Sequence, residues 1–88
     1  MSIILEKVQE ILSHQFSLNK SEVQMETQFE LELGADSRDL LEIMAAFEET
    51  FDIEIAYEDV VNIITVQDAV FYVLQKRIAR DELYQNLI

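Results

Sequence analysis

Ser37 is the residue whose type and position point most directly to chemistry. It comes three residues after Gly34, which is the only glycine in a chain of 88 residues that contains no proline. A lone glycine predicts a tight turn, and a helical pattern begins directly after it. The sequence therefore places one hydroxyl at the first turn of a helix, as an attachment point, a nucleophile or a plain first-turn serine.

The residues around Ser37 do not support a hydrolase. A nucleophile of the Gly-x-Ser-x-Gly type needs a following glycine and a histidine with an acid in the fold, but the single histidine, His14, lies far upstream. His14 also has no second histidine or cysteine with which to bind a metal. No segment has the ligand spacing of a calcium loop. We therefore expect no catalytic residue, no metal site and no enzyme.

A first helix and a long loop are predicted before Ser37. The first helix is indicated by apolar residues with helical spacing, at Ile4, Val8, Ile11, Leu12 and Phe16, and Ser2 is its candidate N-cap. From residue 17 to residue 36 the apolar residues are sparser and follow no sustained period. This stretch is predicted to be a long, partly anchored loop, and a loop of about 20 residues usually signals function or a cover over the core.

The second helix is predicted to run from about residue 37 to residue 51. Its apolar stripe consists of Leu40, Ile43, Met44, Phe47 and Phe51. Asp36 is placed to cap the helix, and Asp39 completes an arrangement like a capping box with Asp in place of Glu. The acidic residues off the stripe are expected to face water: Glu42, Glu48, Glu49 and Asp52.

Two further helices complete the predicted fold, which is an all-α four-helix bundle with a short third helix and a long first loop. Residues 57–61 allow at most a short helix, and residues 65–68 have the Thr-x-x-Asp form of a capping box. The last helix has its stripe at Val66, Ala69, Val70, Val73, Leu74 and Ile78. The alternation at 53–55 is too short to indicate a strand, and the tail from residue 81 either prolongs the last helix or docks elsewhere.

Charge and length limit the possible partners. The 18 acidic and six basic side chains give a net charge of -12, which repels nucleic acid and favours partner proteins with basic surfaces. The length fits one domain over residues 1–88, with a core at about 4–78 and a C-terminal extension at 79–88. No stretch is apolar enough for a membrane span. We expect a cytoplasmic monomer.

The segments around Ser37 resemble the acyl carrier protein family. The matching segments are the apolar pattern of the first helix, Asp36 and Ser37 after 33–35, the pair 42–43, the run 47–55, Phe29 before 32–34, and the run 63–69. Together they cover roughly residues 4 to 75. The Gly-x-Asp-Ser core is weak alone, whereas the core with its flanks at these distances is specific.

The resemblance implies a four-helix fold with a 4'-phosphopantetheine arm joined to Ser37 through a phosphodiester. Acyl groups would be carried as thioesters on the terminal thiol of the arm, since the chain itself has no cysteine. An anion at a helix N-terminus is stabilised by typically 0.3–1 kcal/mol. Asp36 and Asp39 oppose this effect, and the resemblance implies that the phosphopantetheinyl transferase reads Asp36.

The resemblance also makes the second helix the face that partner enzymes recognise. The implied partners are the transferase and the acyl-transfer, condensing and reducing enzymes of fatty acid, polyketide or other lipid synthesis. The implied contact residues are the acidic Asp39, Glu42, Glu48 and Glu49 and the apolar Leu41 and Ala45, and Arg38, which departs from the family pattern, places a positive charge among them. Charge complementarity of this kind mainly speeds encounter, so binding is expected to be fast, weak and sensitive to salt.

By the same resemblance the acyl chain would shelter between the helices. The residues that this implies as its lining are Phe29, Ile43, Met44, Phe47, Ile55, Ile63 and Ile64. For Met44 and Phe47 a plain core role is as compatible with the helical stripe as a lining role.

Three positions depart from the family pattern. Arg38 follows the serine where Leu is common, Ala56 stands where Pro is common, and Tyr57 stands where an acid is common. Arg38 keeps an alternative open, namely an unmodified acidic helical adaptor that docks on basic proteins. This alternative predicts that Ser37→Ala leaves function intact, whereas a carrier would lose it.

Overall fold

The computed structural model describes residues 3–86, with side chains described through residue 79. Its elements are α1 (Ile3–Phe16), a 3₁₀ turn (Lys20–Glu22), α2 (Ser37–Phe51), α3 (Tyr57–Val60) and α4 (Val66–Asn86). In this range the only bridge between extended segments is an isolated one between Gln28 and Thr65. The fold is therefore all-α, as predicted. The predicted Ser2 cap lies outside the described residues, and the backbone of the tail prolongs α4 to Asn86.

Side-chain hydrogen bonds show how the three long helices run. Gln15, near the end of α1, donates to Glu42 in the first half of α2 at 2.9 Å, so these helices are antiparallel. Arg77, in the second half of α4, donates to the carbonyl of Phe51, the last residue of α2, at 3.2 Å. Helix α4 therefore runs in the same direction as α2.

The core lies between the three long helices and the first loop. Its buried side chains are Leu5, Val8, Leu12, Val23, Phe29, Ala35, Ile43, Met44, Phe47, Phe51, Ile63, Val66, Ala69, Val70 and Val73. The predicted stripe of α4 was wrong at its end, because Leu74 and Ile78 are 41% and 48% exposed. Leu74 is rotated by about 100° from the buried Val73, and with Ile78 it lies on the outer side of the helix.

The long first loop is pinned to the start of α4. Phe29 donates its N–H to the carbonyl of Ile64 at 3.0 Å, and Val66 donates its N–H to the carbonyl of Thr27 at 2.9 Å. The ring of Phe29 is only 1% exposed. One bond pairs a loop amide with the Ile64 carbonyl, and the other pairs a loop carbonyl with the first-turn amide of Val66. They confirm the prediction of an anchored loop, and they fix the segment that leads to Ser37.

The predicted capping box at the start of α4 is present. The Thr65 hydroxyl accepts from the Asp68 N–H at 3.1 Å, and the Asp68 carboxylate accepts from the Thr65 N–H at 3.0 Å. Asp68 also accepts from the N–H of Ile64 at 3.0 Å. The loop and the cap therefore hold Ile64 between them. Among the described helices, none combines the length and the low charge needed to cross a membrane.

Candidate functional site

A tight turn at Gly34 delivers the chain to the start of α2. Gly34 has a φ of +69°, the left-handed region in which glycine is favoured, and its N–H donates to the carbonyl of Glu30 at 3.1 Å. Ala35 is buried and donates its N–H to the carbonyl of Phe29 at 2.9 Å. The turn thus pins Ala35 inside and leaves Ser37, the first residue of α2, exposed.

The N-terminus of α2 is capped as predicted. Asp36 Oδ1 accepts from the Asp39 N–H at 2.9 Å, and Asp39 Oδ2 accepts from the Asp36 N–H at 3.2 Å. Within residues 3–86, no hydrogen bond takes up the amides of Ser37 and Arg38. Two free N–H groups at the positive end of the helix dipole therefore lie beside the Ser37 hydroxyl, where they favour an anion.

Arg38 is an exposed cation beside this hydroxyl. No ion pair or side-chain hydrogen bond holds its guanidinium among the residues that the structure describes. A free guanidinium can pair bidentately with a phosphate or carboxylate. The first turn of α2 therefore combines a hydroxyl, two free amides and a free cation with the Asp36 and Asp39 carboxylates of the capping box.

An apolar cleft opens next to Ser37. Its volume is about 580 Å³, and it is lined by Gln28, Phe29, Glu30, Leu31, Ser37, Leu40, Leu41, Tyr57, Val60, Val61, Ile63 and Ile64. Leu31, Tyr57 and Val61 are among the most exposed large apolar side chains, at 81%, 76% and 74%. Because exposed apolar groups converging on one cleft usually mark a binding site, the cleft can shelter an apolar group attached near Ser37.

The cleft differs from the predicted acyl lining. Of the seven predicted residues, Phe29, Ile63 and Ile64 border it. The other four, Ile43, Met44, Phe47 and Ile55, do not. The first three of these four are at most 4% exposed, because this side of α2 faces the closed core. Ile55 is half-buried and packs against that core.

Sequence reasoning missed most of the cleft wall. The missed residues are Leu31, Leu40, Val60 and Val61, while Leu41 was predicted as a partner contact and Tyr57 was noted only as a departure. A signal was present in the sequence, because Leu31 and Val61 are large apolar residues that fit no predicted core stripe.

The acidic face of α2 is only partly free. Ala45, Glu42 and Glu49 are exposed, as expected. However, Gln15 of α1 donates to Glu42 at 2.9 Å and makes a longer contact of 3.5 Å with Asp39. Sequence reasoning also missed this role of Gln15, because the two helices meet only in the folded chain.

Glu48 was predicted to face water, and this expectation was wrong. Its side chain is half-buried, and Oε2 accepts from the N–H of Ile55 at 2.8 Å. The carboxylate thus satisfies a backbone amide of the segment that links α2 to α3. Glu48 therefore holds this linking segment to α2. Its place in the partner face stays a prediction.

Replacement of Glu48 by alanine is expected to lower the free energy of unfolding by about 1–2 kcal/mol, because the half-buried Ile55 amide loses a charged acceptor. Glu48→Gln keeps an oxygen acceptor and should cost clearly less. Urea unfolding of both variants provides the measurement. Equal, negligible losses in the two variants would contradict the tether.

Tyr72 of α4 forms a second tether, at α3. Its hydroxyl donates to Asp59 Oδ2 at 2.7 Å and accepts from the Ala56 N–H at 3.3 Å. Burial raises the pKa of Tyr72 above its usual range, and the hydrogen bond to Asp59 and the negative charges of Asp59 and Glu58 act in the same direction, whereas the hydrogen bond from the Ala56 N–H acts in the opposite direction. Lys76 lies over the ring, with Nζ 5.4 Å from the centroid.

Alkaline pH is therefore expected to weaken the fold through Tyr72. A raised pKa contributes stability that is fully present below the ordinary tyrosine pKa of about 10 and is lost as the pH rises through the folded-state value. The free energy of unfolding should fall between about pH 10 and the onset of alkaline unfolding, and less steeply in Tyr72→Phe than in the wild type. Urea unfolding across this range measures both slopes, and the exposed Tyr57→Phe serves as the control. Parallel slopes for wild type and Tyr72→Phe would contradict this assignment.

Comparisons with known proteins agree with this geometry. A family model described as a phosphopantetheine attachment site matches residues 6–73. The chain is similar to an acyl carrier protein from Enterococcus faecalis of high thermal stability, with 33% identity and a TM-score of 0.73 over 83% of this chain and 92% of that one. It is also similar to an apo doublet acyl carrier protein from prodigiosin biosynthesis, with 26% identity and a TM-score of 0.71 over 83% of this chain and 35% of that chain. Here the chain spans about a third of the doublet. The chain belongs to the acyl carrier protein family, the carriers of covalently attached 4'-phosphopantetheine.

Proposed function

We propose that this protein carries acyl groups on a phosphopantetheine attached to Ser37 and presents them to biosynthetic enzymes. The observation that carries the proposal is the exposed Ser37 hydroxyl at the capped start of α2, at the edge of an apolar cleft, in a chain of the phosphopantetheine attachment family. The pathway that we propose is the synthesis of fatty acids, polyketides or related lipids. Residues 1–88 are proposed to act as one carrier domain that catalyses no reaction itself.

The residues at the start of α2 fit the phosphate of the arm. The free amides of Ser37 and Arg38 and the positive end of the helix dipole favour an anion there, and the guanidinium of Arg38 can neutralise it. Asp36 holds the first turn in place through the Asp39 amide. When attached, the arm supplies a thiol that carries the acyl group as a thioester.

The cleft supports a sheltering role for the chain's own residues. Ile63 forms part of the floor with Phe29, and both are buried. Leu41 of α2 and Val61, just after α3, also line the cleft. Burial of an apolar acyl group there would be favourable by about 25 cal/mol for each Å² of apolar surface removed from water. We propose that medium-length acyl chains such as octanoyl occupy this cleft.

The partners are proposed to approach α2 with basic surfaces. Glu42 and Glu49 present exposed carboxylates, and the net charge of -12 steers cationic proteins towards the chain. Phosphopantetheinyl transferase is the first expected partner, followed by acyl-transfer, condensing and reducing enzymes. These encounters are proposed to take place in the cytoplasm with a monomeric carrier.

Loading with an acyl-coenzyme A tests carriage of acyl groups. The chain is incubated with a broad-specificity transferase and octanoyl-coenzyme A, and its intact mass is measured before and after hydroxylamine treatment. The proposal predicts a gain of one acyl-phosphopantetheine and then loss of the acyl group alone, because hydroxylamine cleaves thioesters. A chain that gains no mass, or a gain that hydroxylamine leaves unchanged, would contradict the proposal.

A further inference from the structure

Helix α3 is the least supported element beside the cleft. None of its four residues, Tyr57–Val60, is buried, and no Cα atom of α3 lies within 8 Å of a Cα atom of another helix in residues 3–86. A helix of four residues gains little stability of its own. Its position must therefore depend on a few side-chain contacts.

Hollows lie on two sides of α3. On the Ser37 side, Tyr57 and Val60 form part of the wall of the 580 Å³ cleft. Towards α4, a second hollow of about 390 Å³ is lined by Asp59, Ile63 and Tyr72 among others. Val60 packs against the core, but hollows remain on both sides of α3, so packing fixes its position only in part.

Tyr72 lines the second hollow, and its hydroxyl holds α3 at two points. It donates to the Asp59 carboxylate at 2.7 Å and accepts from the N–H of Ala56, the N-cap of α3, at 3.3 Å. No other side-chain hydrogen bond links residues 56–60 to α4 within the described part of the chain. A proline at position 56 would have no N–H to give, so the second bond depends on Ala56.

We propose that the Tyr72 hydroxyl is a positioning group that holds α3 as a wall of the cleft and thereby sets how well the cleft shelters its acyl group. The proposal has two halves. The mechanical half, that Tyr72 holds α3 in place, concerns α3 alone. The acyl half, that the position of α3 sets the shelter of the acyl group, rests on the proposed carrier function. Tyr72 is not one of the residues that line the cleft, and its hydroxyl acts through Ala56 and Asp59, so loss of the hydroxyl changes the position of α3 without replacing a lining residue.

Amide hydrogen exchange of the unloaded protein tests the mechanical half. Tyr72→Phe removes the hydroxyl and keeps the ring, and it should speed exchange of the Asn62 and Ile63 amides, which bond to α3 carbonyls, by about tenfold. The exchange rates of amides inside α1 should change no more than the change in global stability accounts for. The matched control is Tyr57→Phe, because the Tyr57 ring is 76% exposed and its loss of a hydroxyl should leave exchange unchanged.

A second variant shows whether faster exchange results from loss of the Tyr72–Asp59 hydrogen bond or from a general loosening of the fold. Asp59→Ala should speed the same amides, and the double variant with Tyr72→Phe should exchange little faster than either single variant, because both changes break one unit. Unchanged exchange in Tyr72→Phe, or full additivity of the two changes, would overturn the mechanical half.

The acyl half is tested on loaded protein by the rate of thioester cleavage with hydroxylamine. In Tyr72→Phe an octanoyl thioester should be cleaved several-fold faster than in wild type, whereas an acetyl thioester, too short to reach the cleft, should be cleaved at the wild-type rate. Equal acceleration of both thioesters, or of neither, would overturn this half. Failure of the wild type to load would instead overturn the proposed function and the acyl half with it, and the exchange result would still decide whether Tyr72 holds α3.

Discussion

Truncation of Phe47 to alanine is expected to lower the free energy of unfolding by about 3–5 kcal/mol. The Phe47 ring is 1% exposed and lies 6.1 Å from the ring of Phe51, centroid to centroid. Its removal leaves a cavity that the surrounding core side chains can fill only in part. Since a domain of this size has a small margin of stability, much of the variant should be unfolded in dilute buffer. Urea unfolding followed by circular dichroism measures the loss.

Leu41→Ala is the matched control on the same helix. Leu41 is 52% exposed and borders the cleft, so its truncation should change stability by no more than about 0.5 kcal/mol. The same change should weaken the shelter for an attached octanoyl group. Similar stability losses in the two variants would contradict the division of α2 into a core side and a cleft side.

Charge reversal on α2 is expected to have the second largest effect. Glu42→Lys and Glu49→Lys should each lower kcat/KM of the phosphopantetheinyl transferase for this chain by about fivefold or more at low salt, because a repulsive charge then meets a basic partner. The effect should shrink as the salt concentration rises, since exposed charges are screened. Initial rates of loading at two salt concentrations provide the measurement.

Glu6→Lys makes the same change of charge on the exposed first turn of α1. The antiparallel arrangement places this turn at the opposite end of the bundle from Ser37, so the transferase rate should change little. Glu42→Lys also loses the hydrogen bond from Gln15. Urea unfolding of this variant measures the stability lost with that bond, so that it can be separated from the effect on the transferase rate. A rate loss in Glu6→Lys equal to that in Glu49→Lys would indicate that overall charge, and not the face of α2, steers the partner.

The start of the site was predictable from sequence because its interactions are local. Helix α2 runs from Ser37 to Phe51 as predicted, and its capping box joins residues three apart. Gly34 adopts the positive φ that a lone glycine before a helix suggests. Such features depend on neighbouring residues and on backbone geometry, which a sequence states directly.

The tethers of the site, and the convergence of its walls on one cleft, could not be predicted because they depend on contacts between distant segments. Glu48 looked like a surface acid until the link to α3 folded back onto it. Tyr72 and Asp59 are 13 residues apart in the chain, and no periodic pattern relates them. The stripe of α2 likewise gives the core but, apart from Leu40, not the cleft, since other parts of the cleft wall are formed by residues such as Leu31 and Val61 from irregular segments.

Intact mass of the wild type and of Ser37→Ala, after incubation with a broad-specificity phosphopantetheinyl transferase and coenzyme A, decides whether Ser37 carries the arm. We expect a gain of one phosphopantetheine on the wild type and none on a Ser37→Ala variant that folds normally. Ser21→Ala, which alters another exposed serine, should load as the wild type does. A wild type that gains no mass would favour the unmodified adaptor, and an equal gain on Ser37→Ala would place the arm on another residue.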